Sequence, residues 1–226
     1  HEPEERLADY VASIKRWSRL VERIPNAQVL VAENSDSTEW LRKGLPLGNR
    51  DRVRFVPCSK PGPEILARGK GAAEAAMIDE ALLTLPPSAP SLIVKCTGRL
   101  FVPNLARVLG GAHVHTALLY RGSLSGNAVD SRLVAARHDV WLNELSRMGS
   151  SIDELKGVWL EHVLARRVHL MQARGHHVQR FSAKPRFVGR SGTSGVRYDG
   201  LRNGLRHIPS AAVERMLRGP LADKSY

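Results

Sequence analysis

Ser91-Leu-Ile-Val-Lys-Cys-Thr-Gly-Arg99 is the stretch on which the fold turns. Leu, Ile and Val follow Ser91 without a polar break, as expected of a short strand buried on both faces. The run then stops in Lys95, Thr97, Gly98 and Arg99, a polar cluster at the strand's carboxyl end. In front of it lies Gly71–Leu85, rich in Ala, Glu, Leu and Met, which reads as a helix ended by Pro86-Pro87. A helix feeding a buried strand is one unit of an α/β protein.

The same alternation extends in both directions. Leu7, Tyr10, Val11, Ile14, Trp17, Val21 and Ile24 keep a helical period that ends at Pro25. Gln28–Ala32 and Val53–Val56 read as strands, the first closing in Glu33-Asn34-Ser35. Downstream, Thr116–Tyr120, Arg132–Ala136 and Val178–Phe181 read as strands. Ile152, Leu155, Trp159, Leu160, Val163 and Leu164 suggest one long helix over 152–174, capped by Gly175. The expected fold is therefore α/β, with a mixed, mostly parallel sheet flanked by helices. Residues 1–198 form one domain in this reading, and 199–226 a basic helical appendage.

The chain has 34 Lys+Arg against 22 Asp+Glu, a net charge of +12. Residues 1–163 hold 21 basic and 19 acidic residues, and residues 164–226 hold 13 and 3. The excess is thus concentrated in the last quarter, where it suits an anionic membrane, a phosphorylated substrate or nucleic acid. A nucleic-acid platform would interleave aromatics with the cations, and this region has only Phe181, Phe187, Tyr198 and Tyr226. No run of eighteen apolar residues is present, which excludes a helical membrane span. Cys58 and Cys96 are too few for a disulfide framework, favouring a reducing, cytoplasmic setting.

Several motifs fail on spacing. Gly69-Lys70-Gly71 lacks the hydroxyl of a P-loop, and Gly189–Thr193 lacks the last glycine of a nucleophile elbow. His113-x-His115 and His176-His177 have no third ligand at metal spacing and read as structural or surface residues. Six polar segments remain: Glu33-Asn34-Ser35, Arg68–Gly71, Lys95–Arg99 with Asn104, Asp130-Ser-Arg132, Trp159–His162 and Gly189–Gly195.

In that order they resemble the layout of GT-A-type nucleotide-sugar glycosyltransferases, in a family-2-like arrangement (the bacterial capsule and cell-surface polysaccharide kind with a Lys-x-Thr-Gly-Arg motif). The likeness runs over about residues 5–198. It implies that Glu33, Asn34 and Ser35 hold the nucleotide, and that Lys70 and Gly71, which with Glu74 open the next helix, also bind the donor. It implies a catalytic acid within Gly157–His162, where the usual Glu-Asp is replaced by Glu161-His162. Most such enzymes carry Asp-x-Asp where this chain has Lys95-Cys-Thr-Gly-Arg99. Lys and Arg neutralise a phosphate directly, so the expectation is metal-independent donor binding with no cofactor. The family fold opens with a strand, whereas here the helix comes first. A strand ahead of it, or another segment in its place, is implied.

The expected roles are as follows. Glu161 is the general base, with His162 or Asp130 as alternatives. Lys95, Thr97, Gly98, Arg99 and Arg132 bind the donor, and Arg190, Ser191, Thr193 and Ser194 close over it. Asn104 and Trp159 lie on the acceptor side, although Trp159 reads first as a core residue. Arg132 and Arg166 are the candidate ion-pair partners of Glu161. The substrate pair is a nucleotide-diphosphate sugar and a hydroxyl of a glycan or lipid-linked acceptor. The protein is expected in the cytoplasm, its basic tail a peripheral contact with the inner membrane face. A basic nucleic-acid-binding module and a non-catalytic scaffold of the same fold are the competing readings.

Overall fold

A computed structural model describes residues 3–46, 48, 51–86, 92–192 and 195–198. The expected C-terminal appendage, 199–226, lies outside the described residues. The first elements are α1 (Pro3–Val21), β1 (Val29–Glu33), α2 (Thr38–Lys43), β2 (Val53–Pro57), α3 (Pro63–Arg68) and α4 (Lys70–Leu83). Then come β3 (Leu92–Cys96), β4 (Leu100–Phe101), α5 (Leu105–Leu109), β5 (Leu118–Tyr120) and β6 (Leu133–Arg137). The last are α6 (His138–Asn143), two 3-10 turns, α7 (Leu160–Ala173), β7 (Val178–Arg180) and β8 (Val188–Gly189).

The fold is mixed α/β, but the sheet is not mostly parallel. Its main part has the order β3-β6-β5-β7. β6 runs antiparallel to both β3 and β5, and β5 is parallel to β7. The reason lies in the Arg121–Arg132 connection. It is folded as a hairpin, with Gly122 bridging Val129, and carries no crossover helix. A parallel return from β5 needs such a crossover. β1 and β2 pair in parallel as a separate ribbon, and β4 and β8 pair antiparallel. Among the described residues β1 is paired only with β2, and β3 only with β6.

The central strands alternate strictly between two cores. Leu118, Val134 and Ala136 enter one, with α4, α6 and α7 supplying Ala72, Ala75, Trp141, Leu160 and Val163. Leu119, Leu133 and Ala135 enter the other, with Val102, Val108 and Phe181. This two-residue alternation with apolar residues on both faces explains why Leu133–Ala136 of β6 are all buried. α1 is fixed to β4 by side chains: Ser13 Oγ and Trp17 Nε1 each donate to the Leu100 carbonyl at 2.8 Å. Trp17 also meets the Phe101 ring edge-on, at 5.0 Å between centroids.

The long helix expected over 152–174 begins only at Leu160. Gly157 takes φ +72, and Asp153 and Val158 close a small antiparallel bridge around it. A left-handed residue cannot continue a right-handed helix. Leu155, read as part of the apolar face, is therefore 86% exposed, while Ile152 stays buried. The helix ends as expected. Gly175 N–H bonds the Gln172 carbonyl and His176 N–H the Met171 carbonyl, a Schellman closure.

Candidate functional site

The carboxyl end of β3 meets the entry to β6 because the antiparallel register places Cys96 opposite Leu133. Thr97 N–H donates to the Arg132 carbonyl at 3.0 Å. Asp130, Ser131 and Arg132 are thereby brought against Lys95 and Thr97, which sequence order alone separates. Lys95 Nζ lies 2.6 Å from Glu74 Oε1 and also donates to the Ser131 carbonyl. Arg132 grips Asp130 in bidentate fashion, Nε to Oδ1 at 2.8 Å and Nη2 to Oδ2 at 2.6 Å. Arg121 adds a longer contact of 3.4 Å. Burial works against the charge of Asp130, yet the Arg132 bonds and the two guanidinium charges outweigh it. The carboxyl is held below the usual range. The Arg132 guanidinium lies over Phe187 at 4.4 Å and over Tyr198 at 5.4 Å.

Glu161 stands in the first turn of α7, half-buried. Ser131 Oγ donates to its Oε1 at 2.5 Å. Among the described residues neither Arg132 nor Arg166 pairs with it. The late start of α7 matters here, because it places Glu161 in the first turn of the helix, beside Ser131. Asp130, its alternative as base, has both oxygens bound by arginine. His162 turns its Nδ1 to Trp159 N–H at 3.4 Å and the Gly157 carbonyl at 3.2 Å. Its other face lines a separate cavity with Arg166 and His169.

Arg99 is the unusual cation. It is only 7% exposed, yet among the described residues it has no hydrogen bond and no ion pair. Its guanidinium lies 5.9 Å from the Tyr10 ring centre. Its Nη2 comes within 3.1 Å of where a side chain on Gly192 would begin. Gly98 lies against the same tyrosine, and a Cβ there would approach its ring to 2.6 Å. Gly189, at φ +123, packs on the Arg99 carbonyl oxygen, where any Cβ would collide. The segment after it folds back through an Arg190–Arg197 bridge, with Ser191 N–H bonding the Val196 carbonyl at 2.9 Å. Arg190 is tied to α1, at 3.1 Å from Glu5 and 3.4 Å from Asp9. Thr193 and Ser194 lie outside the described residues.

Other candidates are placed elsewhere. The N-terminus of α4 does hold an anion, but it is the protein's own Glu154. That carboxylate accepts from Gly71 N–H at 2.6 Å and lies against Gly69, whose φ is +111. Gly71 is thus occupied, and Lys70 is exposed beside it. Glu33 closes its own turn: Oε2 accepts from Ser37 N–H at 3.0 Å, and Oε1 accepts from Ser35. Asn104 spends its amide on the chain leading to β8. Its Nδ2 donates to the Lys184 carbonyl and its Oδ1 accepts from Arg186 N–H, both at 2.9 Å. Trp159 is 46% exposed, so the core reading of that residue is overturned.

Sequence reading passed over Ser131, Tyr10, Glu154, Phe187 and Tyr198. Only Ser131 carried a signal, since it lies between two residues already singled out. His113 and His177 do approach, with ring centres 6.5 Å apart. Among the described residues, however, no group of three or more His, Cys, Asp or Glu is placed to hold a metal. Cys58 and Cys96 are both free thiols. Burial, opposed by the Lys95 charge, pushes Cys96 up to about 12. No described helix is long and apolar enough to cross a membrane. The chain matches no family model, no curated protein and no solved structure.

Proposed function

We propose that this chain is a GT-A-like glycosyltransferase that moves a sugar from a nucleotide-diphosphate donor to a hydroxyl. The observation that carries the reading is Arg99: a cation just past the carboxyl end of β3, 7% exposed overall, whose side chain has no hydrogen bond or ion pair among the described residues. A guanidinium with no acid beside it can take an anion, and a phosphate matches its fork in bidentate fashion. Ligands of α/β sheets bind beyond the carboxyl ends of strands, which is where Arg99 stands.

Charge neutralisation falls chiefly to Arg99, since Lys95 is already bound by Glu74. Lys95 instead fixes the Ser131 carbonyl, while the Ser131 hydroxyl aims Glu161. In the proposed step the acceptor oxygen attacks the anomeric carbon and its proton passes to Glu161. The bond from that carbon to the diphosphate breaks, and the leaving electron pair rests on the oxygen facing Arg99. No paired carboxylates stand in the Lys95–Arg99 segment, so donor binding in this reading needs no divalent metal. The basic tail then faces the acceptor or an anionic membrane.

Thermal-shift titration with UDP-, GDP-, CMP- and dTDP-sugars tests the reading. One of them should stabilise the chain, by about 2.7 kcal/mol at roughly a hundredfold excess over Kd. Arg99→Met should remove the shift, and Arg99→Lys should keep part of it. A shift with short DNA or RNA and with no nucleotide sugar would replace this reading with the nucleic-acid one. Transfer that collapses in EDTA and returns with Mn²⁺ would overturn the metal-independent step.

A further inference from the structure

A cavity of about 350 Å³ lies between the hairpin turn 123–127 and the outer face of α7, and the donor reading does not use it. Its helical wall is set by spacing. His162, Arg166 and His169 recur at four and three residues, which places them on one face of a helix. The opposite wall is a turn that consumes its own acceptors. Asn127 Oδ1 accepts from Ser123 Oγ at 3.0 Å and from Ser125 Oγ at 2.6 Å. Its amide hydrogens are thereby left for another group. Gly126, at φ +72, lets the turn approach the His169 imidazole, 3.5 Å from where a Cβ would stand.

The groups on these walls are donors. The Arg166 side chain has no hydrogen bond or ion pair among the described residues. The His162 Nδ1 accepts from Trp159 N–H at 3.4 Å, the tautomer that leaves Nε2–H as a donor. No carboxylate lines the cavity. A guanidinium, two imidazoles and an amide without a facing acid make an anion site, and the guanidinium fork matches phosphate. We propose that this cavity binds a phosphoryl group, at a place separate from Arg99. Resting on the glycosyltransferase reading, it takes the phosphate of the acceptor. Val129 N–H bonds the Glu161 carbonyl at 3.0 Å, so the hairpin is pinned to the turn that bears the base. The acceptor class is then a phosphorylated hydroxyl compound, either a soluble ester or a lipid headgroup.

The test is a titration of the full chain with glycerol 3-phosphate, with glycerol as control, following the imidazole C–H NMR signals of His162 and His169. The ester should move both signals saturably and glycerol should not. Arg166→Gln, an exposed change that the fold tolerates, should weaken the ester about tenfold while leaving nucleotide-sugar affinity unchanged. Vesicles of phosphatidylglycerol, against phosphatidylcholine, form the lipid arm. Sedimentation with the former that is lost in Arg166→Gln assigns the phosphoryl group to a headgroup. If neither source binds, or if Arg166→Gln titrates like the parent, the proposal is overturned. Nucleotide-sugar binding that persists in that case leaves the transferase reading standing. Phosphate binding without nucleotide-sugar binding upholds the cavity and removes its acceptor role.

Discussion

At the residue scale the decisive feature is who already holds each charge. Lys95 and Asp130 are spoken for, by Glu74 and by Arg132, whereas Arg99 has no partner among the described residues. Glu161 is oriented by a neutral hydroxyl, and in the proposed reading it takes the acceptor proton. Glu161→Gln should lower the transfer rate by about 10²–10⁴-fold, with donor affinity unchanged. Ser131→Ala should cost less, because it loosens the carboxylate without removing it. Steady-state kinetics with nucleotide-sugar binding measured in parallel separates the two. Asp130 is held below its unfolded value in the native state. It therefore adds stability that is present above the ordinary carboxylate range and is lost as pH falls through the folded value. Asp130→Asn should flatten the acid limb of the stability curve below about pH 4. At neutral pH it should cost about 3 kcal/mol, because Arg132 is left half-buried without its counter-charge.

At the element scale two helix starts set the site. α4 begins on Gly69 with Glu154 filling its N-terminus, so the anion that physics favours there is internal. Glu154→Ala should lower stability by about 1 kcal/mol, read by denaturant titration, with m unchanged. If the emptied N-terminus instead gains affinity for free phosphate, the helix end is a latent anion site. α7 begins eight residues later than its apolar spacing suggests, counting from Ile152 to Leu160. The period of Ile152, Leu155 and Trp159 mimics a helix. What breaks it is Gly157, whose left-handed φ lies inside the local Asp153–Val158 bridge. Periodicity reports which face is apolar, but a single glycine in a compatible place overrides it.

At the scale of the whole molecule, β5 and β6 form the rigid centre and the β1–β2 ribbon stands apart. Amides of Leu118–Leu119 and Val134–Ala136 should exchange slowest with deuterium, and those of Val29–Ala32 clearly faster. Equal protection would mean that the ribbon is held by pairing with more than β2. The sequence by itself determined the α/β class, six of the strands and the Schellman end at Gly175, because these depend on local apolar period and local turn chemistry. It also singled out Lys95–Arg99, a polar cluster visible at a strand end, and Glu161, which it read inside a long helix and which only the structure places in a first turn. The antiparallel sense of β6, the β4–β8 pair and the pairing of every charge were decided only by tertiary structure. Glu154 at Gly71, Asn104 at Lys184 and Tyr10 under Arg99 are contacts between distant parts of the chain. Whether a charge is free or spent depends on which neighbour the fold delivers, and neither composition nor spacing encodes that neighbour.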